Sequence, residues 1–269
     1  RGRNVRAFLY PKPQLATGRR EDIRIPGPAG EIPARVIWPV DGEPTATLVY
    51  FHGGGFILGD IASHEAHCIR IANRTGAVVV TVDYRLAPED PFPAGVEDSL
   101  AATRWVHASL DRFAGVQRPF ALGGDSAGGN MAAVSAIACR DAGIRVAVQF
   151  LLYPATDLTG PAHGRVGDLY LGTDAGRTAR SQDWRASPVR ADLAGVAPAI
   201  LGVGAHDFLY QENIRFARAL EAAGVTCTLR QFPTLNHGFF SFVAISPACA
   251  AAADSLCDDL REALRRAAA

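Results

Sequence analysis

The stretch Pro119-Phe120-Ala121-Leu122-Gly123-Gly124-Asp125-Ser126-Ala127-Gly128-Gly129-Asn130 constrains this chain more than any other. An apolar run enters Gly-x-Ser-x-Gly and leaves directly into an alanine-rich segment, so a strand must become a helix within a few residues. So tight a turn forces Ser126 into a strained backbone conformation, and glycines at 124 and 128 leave room for a neighbouring chain to come close. The hydroxyl is then held out toward a substrate carbonyl. The N–H of Ala127, at the start of the helix, points at the same spot and can stabilise an oxyanion. Taken alone the motif is a weak signal, because the chain has 27 glycines in 269 residues and glycine-rich turns also bind phosphate or simply turn.

A second signal lies upstream. Thr47-Leu48-Val49-Tyr50-Phe51 reads as a buried strand and runs into His52-Gly53-Gly54-Gly55-Phe56. Three successive glycines let backbone N–H groups turn inward onto one anion, where side chains would obstruct it. Gly54 and Gly55 are the candidate donors beside Ala127. Gly53 is read as shaping the loop, a close choice on sequence alone, and His52 as a loop residue whose imidazole bonds nearby backbone.

With these two motifs the chain resembles the hormone-sensitive-lipase-like group of α/β-hydrolases, bacterial carboxylesterases with an HGGG loop and a GDSAGG elbow. The resemblance runs from about Ile23 to the C-terminal helix. It also rests on Val82-Asp83-Tyr84-Arg85-Leu86-Ala87-Pro88-Glu89, Pro91-Phe92-Pro93-Ala94 and Asn236-His237-Gly238-Phe239. It implies Ser126 as nucleophile, Asp207 as the acid and His237 as the base. Asp207-Phe208-Leu209 lacks the proline usual in the group after this aspartate.

The residues support that assignment independently. Ala199-Ile200-Leu201-Gly202-Val203-Gly204 is a short apolar run, so Asp207 falls just past the C-terminal end of a buried parallel strand, where ligand sites of open α/β sheets lie. His237 follows a further strand, and the order Ser, Asp, His is the one this fold uses. Asp157, after Tyr153-Pro154, is also at a strand end and stays open as an alternative acid. His52, His64, His67, His107, His163 and His206 are alternative bases that default to packing or surface roles.

Strands are expected near residues 22–26, 33–38, 46–52, 77–83, 119–124, 146–153, 199–204 and 226–232, and helices near 62–74, 95–113, 127–142, 212–223 and 247–267. Val78-Val79-Val80-Thr81-Val82 is too uniformly apolar for a sheet with a wet face. The expected architecture is therefore α/β, a mostly parallel doubly wound sheet with helices on both faces. Residues 1–269 are read as one domain, with a reduced N-terminal cap segment at about 1–20 and a glycine-rich cap insertion at about 155–195. Phe56 and Phe208 are expected to line a modest substrate pocket.

Composition narrows the partners. Basic and acidic residues balance at 27 each, which gives no broad attraction for nucleic acid or anionic membrane. No apolar run reaches the ~18 residues of a membrane span, and the residues from Arg1 onward do not read as the charged-then-apolar leader of a signal peptide. The five cysteines lack metal-site or redox spacing, which favours free thiols and a cytoplasmic location. His64 and His67, with Glu65 between them, fall short of His-Glu-x-x-His and are read as exposed or half-buried helix residues near the site entrance, so no metal and no cofactor are expected. A homodimer is compatible with the sequence.

The expected function is hydrolysis of short-acyl esters through an acyl-enzyme. Two alternatives use the same residues differently. An amide or arylformamide hydrolase would need the same triad. A silent binding protein, as in the plant gibberellin receptors that the group resembles, would lack the catalytic histidine, and His237 argues against it.

Overall fold

The computed structural model describes residues 15–269, so most of the expected cap segment at about 1–20 lies outside the described residues. The strands are β1 (Arg20–Gly27), β2 (Gly30–Ile37), β3 (Ala46–Phe51), β4 (Ala77–Val82), β5 (Phe120–Asp125), β6 (Gln149–Leu152), β7 (Ala199–Gly204) and β8 (Cys227–Phe232). They form one sheet in the order β1-β2-β4-β3-β5-β6-β7-β8. β1 and β2 make an antiparallel hairpin, and β2 runs antiparallel to β4. From β4 to β8 all neighbours are parallel. Every residue of β3, β4, β5, β6 and β7 is buried, as continuous apolar strands require when both faces are covered. β8 closes the sheet and alternates between half-buried and exposed positions over most of its length.

The long helices are α1 (Ile61–Thr75), α2 (Ala94–Ala108), α3 (Ala127–Asp141), α6 (Tyr210–Ala222) and α7 (Pro247–Ala268), with α4 (Gly164–Leu171) and α5 (Arg177–Gln182) between α3 and α6. Right-handed crossovers put α1 on one face, where it packs on α7, and α2, α3 and α6 on the other. The chain leaves β3 toward β4 on one side and later returns to β5 on the other. The loop after β3 and the turn after β5 therefore meet at a topological switch point, the usual place for a ligand in such sheets.

Close packing at that point depends on two glycines. Ser126 has φ 54° and ψ −116°. A Cβ on Gly128 would overlap the carbonyl oxygens of Phe51 and His52, and one on Gly124 would overlap those of Gly128 and Phe51. Glycine alone lets the end of β3 lie against the first turn of α3.

Helices α4 and α5 were not legible in the glycine-rich segment. Each spans too few residues for an apolar repeat to appear, and isolated helices this short are unstable without tertiary partners. Their partners are visible here. Arg177 Nε donates to Asp168 at 2.7 Å, Arg180 Nε reaches the carbonyl of Leu171, and Tyr170 stacks on Phe56 at 4.0 Å between ring centres.

The structure corrects the reading of His64 and His67. Both are buried, each at 5% exposure, and lie behind the turn rather than at an entrance. They belong to the stripe of α1 that also buries Cys68, Ile71, Ala72 and Thr75, the i, i+3, i+4, i+7 pattern of a core-facing helix. His64 Nε2 stands 3.4 Å from Asp125 Oδ2, and His67 packs edge-on against His64 and Phe240. Nδ1 of His67 has no hydrogen-bond partner. Burial lowers the pKa of His52 to about 4 and that of His67 to about 3, with the nearby His64 acting in the same direction and Asp125 opposing it.

Acid should therefore weaken the fold. Both imidazoles take up protons in the unfolded chain below their ordinary value near 6.5, well before they do so in the folded protein. Stability rises with pH across about 4 to 6.5 and is lost on acidification through that window. Urea unfolding at pH 4.5, 5.5 and 6.5 is expected to show this slope, and His67→Leu should reduce it by about one proton. An unchanged slope in that variant would mean that His67 does not titrate between the two states.

Candidate active site

Three strand ends supply three side chains. Ser126 follows β5, and its backbone is pinned by its N–H to the Leu152 carbonyl at 2.9 Å and by its own carbonyl, which accepts from Ala155 N at 3.0 Å. Asp207 follows β7, in a turn where its N–H bonds the Gly204 carbonyl at 3.1 Å and Oδ1 accepts from Leu209 N at 2.7 Å. The Asp-Phe-Leu sequence thus makes a closed turn without a proline. His237 lies in the loop after β8. Its Nε2 is 2.9 Å from Ser126 Oγ, and its Nδ1 is 2.8 Å from Asp207 Oδ2 and 2.9 Å from Oδ1.

The imidazole is held by rings as well as by hydrogen bonds. Tyr153 meets it edge-on at 4.9 Å and Phe208 lies across it at 4.5 Å. The Asp207 carboxylate is fully buried, so it accepts the hydrogen bond from Nδ1–H without competition from water. A base whose Nδ1 donates to a carboxylate presents the lone pair of Nε2 to the serine hydroxyl.

The alternatives from sequence are elsewhere. Asp157 accepts from Thr159 N at 3.2 Å and faces Arg190. His52 Nδ1 donates to the Gly53 carbonyl at 2.9 Å, His107 packs on Phe120, His163 bonds Glu212 and His206 is exposed. Among the described residues His237 is the histidine beside Ser126.

Gly54 and Gly55 take φ 129° and 64°, conformations that favour glycine. Their N–H groups and that of Ala127, at the first position of α3, bond no protein acceptor among the described residues, whereas Gly53 N donates to Asp125 Oδ1 at 3.0 Å. The loop glycines thus divide into one tied to the core and two with uncommitted donors.

Asp125 was not singled out from sequence. Its signal was a carboxylate in a run whose every other member is apolar or glycine. Oδ1 also accepts from the buried Tyr50 hydroxyl at 2.9 Å. Burial alone would raise the pKa of this carboxyl, but His64, His67 and the Tyr50 hydrogen bond hold it well below the usual carboxylate range. His64, His67 and Asp125 also present ligand atoms within 4.8 Å of one another. Oδ1 of Asp125 serves Tyr50 and Gly53 while Oδ2 faces His64 Nε2, so the three side chains form a buried polar support behind the glycine loop.

A cavity of about 200 Å³ opens on Ser126 and His237. Gly54, Gly55, Phe56 and Ala127 line one part of it, and Val166, Phe208 and Leu209 line another. Phe56 is 2% exposed and fixed by its stack on Tyr170, while Phe208 is 61% exposed at the rim. His163 also lines the cavity, and its bond to Glu212 was likewise not legible, because the two lie 49 positions apart. Among the described residues no helix is long and apolar enough to cross a membrane.

Comparison with known proteins identifies the family of the chain. A family model for the α/β hydrolase fold matches residues 48–241. The chain is 40% identical to the carboxylic ester hydrolase LipN of Mycobacterium tuberculosis over 91% of its own length and 70% of that protein's. It is 39% identical to the carboxylesterase NlhH of the same organism, over 91% and 83%. The crystal structure of EstE1, a thermophilic carboxylesterase cloned from a metagenomic library, superposes with a TM-score of 0.86 at 34% identity, covering 94% of this chain and 92% of that one. Family match, identity and fold agree, and the chain belongs to the hormone-sensitive-lipase-like group of α/β-hydrolases, an enzyme of the carboxylic ester hydrolase class.

Proposed function

We propose that the protein is a serine carboxylesterase for short-acyl esters, with Ser126 as nucleophile, His237 as general base and acid, and Asp207 as the group that orients and stabilises the imidazole. The observation that carries this reading is the continuous row from Ser126 Oγ through both nitrogens of His237 to the buried Asp207 carboxylate, at 2.9 and 2.8 Å. Ser126 attacks the ester carbonyl while His237 Nε2 takes its proton, and the imidazolium then passes that proton to the departing alcohol. Water repeats the sequence on the acyl-enzyme. The N–H groups of Gly54, Gly55 and Ala127 stabilise the oxyanion, an effect worth about 3–4 kcal/mol per donor. No step calls for a cofactor.

Ser126→Ala and His237→Ala are each expected to remove essentially all hydrolysis of p-nitrophenyl butyrate while the far-UV spectrum and cooperative unfolding persist. The double variant should be about as slow as either single one, because the two residues act as a unit. A Ser126→Ala protein keeping more than a few per cent of kcat would overturn the assignment.

Asp207→Asn should lower kcat roughly ten-thousand-fold by favouring the wrong tautomer of His237, and Asp157→Asn should change it little. The opposite ranking would move the acid to the loop after β6.

Acyl length is limited by the cavity of about 200 Å³. Each methylene that it accepts contributes about 0.8 kcal/mol, and the gain ends when the space is filled. Across a p-nitrophenyl ester series, kcat/KM should peak between acetyl and hexanoyl and fall by dodecanoyl; a maximum at twelve carbons would contradict the reading. Matched aryl amides serve as the control for amide hydrolysis, since an amidase would turn over both series.

A further inference from the structure

Among the described residues, and apart from Ser126 and His237, the side chains lining the cavity are apolar with one exception, His163. A hydrocarbon pocket has no need of an imidazole, and this one is built in with care. His163 ends the short 3₁₀ turn Pro161–His163 and is 9% exposed. Its Nε2 is 3.0 Å from Oε2 of Glu212, a buried carboxylate on α6. Oε1 of Glu212 accepts from Thr156 N, from Asp157 N at 2.9 Å and from Thr156 Oγ1 at 3.3 Å. A carboxylate only accepts, so Nε2 carries the proton in that bond and the ring is locked in orientation. Nδ1 is left over. It bonds no protein group among the described residues and is not among the buried atoms without a partner, so it is the accessible end of the ring.

We propose that His163 forms a polar subsite for a hydroxyl carried by the ester a few bonds from its carbonyl, making short hydroxy-esters the favoured substrate class. This rests on the ester-hydrolysis reading above. A hydroxyl both donates and accepts, so it pairs with Nδ1 whether that nitrogen is bare or protonated. An alkyl group at the same place leaves Nδ1 desolvated and unpaired, which disfavours the plain ester. Because the cavity is small, the hydroxyl belongs either to the acyl chain or to the alcohol part close to the ester oxygen.

The test compares ethyl butyrate, ethyl 3-hydroxybutyrate and 2-hydroxyethyl butyrate by pH-stat. In the unaltered protein at least one hydroxy-ester should exceed ethyl butyrate in kcat/KM by about five-fold or more, the worth of one net hydrogen bond. The better of the two tells which side of the ester bears the hydroxyl. His163→Gln sets an amide at the Nε2 position, keeps Glu212 bonded and puts nothing where Nδ1 stood, so the ratio should fall to about one. His163→Asn sets its amide where Nδ1 stood and should keep part of the preference. Ratios are taken within each variant, so a reduced folded fraction cancels. A ratio near one in the unaltered protein, or the same ratio in His163→Gln, overturns the subsite. Failure to turn over any of the three esters would instead overturn ester hydrolysis. The subsite is then read by calorimetry with the same esters: a tighter hydroxy-ester that His163→Gln loosens supports it, and equal affinities overturn it.

Discussion

The site depends on one close approach, that of the carbonyls of Phe51 and His52 to the first turn of α3 at Gly128. Without that contact the loop 52–56 would stand a side chain's width away from Ser126. With it, two strands that are neighbours in the sheet deliver donors from one and a hydroxyl from the other into the same small volume. Gly129 against Pro154 brings the end of β6 in from the other side. The arrangement is a packing result before it is a chemical one, and it explains why small residues crowd a segment that must also be rigid.

Rigidity comes from the carboxylate of Asp125. A buried charge destabilises a fold unless its lone pairs are taken up, and here Tyr50, Gly53 and His64 share it. One of those donors is the backbone of the glycine loop itself. The charge thus converts a segment of three consecutive glycines, which would otherwise be among the most mobile in the chain, into a fixed edge of the site.

What was legible in the sequence was local. The strand, turn and helix around Ser126 follow from neighbours within a dozen positions, Asp207 sits just past the end of an apolar run, and His237 lies in the loop after a further strand. The eight strands and five long helices fell near their expected places because each is marked locally, by an apolar run, an alternation or a helical spacing. What was hidden depends on partners remote in the chain. His64 and His67 look polar one by one, yet their spacing with Cys68 and Ile71 puts them on the buried stripe of α1, so the helical period was the missed signal. Helices α4 and α5 are held by contacts between them, Arg177 to Asp168 and Arg180 to the Leu171 carbonyl, and by the distant Phe56 against Tyr170, rather than by an apolar repeat within either. The bond between His163 and Glu212 has no sequence signature at all, since neither residue predicts the other.

The backbone of Ser126, at φ 54° and ψ −116°, has a further consequence. Side chains with a Cβ rarely adopt that conformation, and glycine adopts it freely. The residue that would suit this position for folding alone is therefore not the one that chemistry requires. With Ser126 as the proposed nucleophile, conformational strain is held in the backbone of the reacting residue and balanced by the packing around it, so selection for thermal endurance without activity would drift this position toward glycine. The least comfortable residue in the turn is a record of what the protein is for.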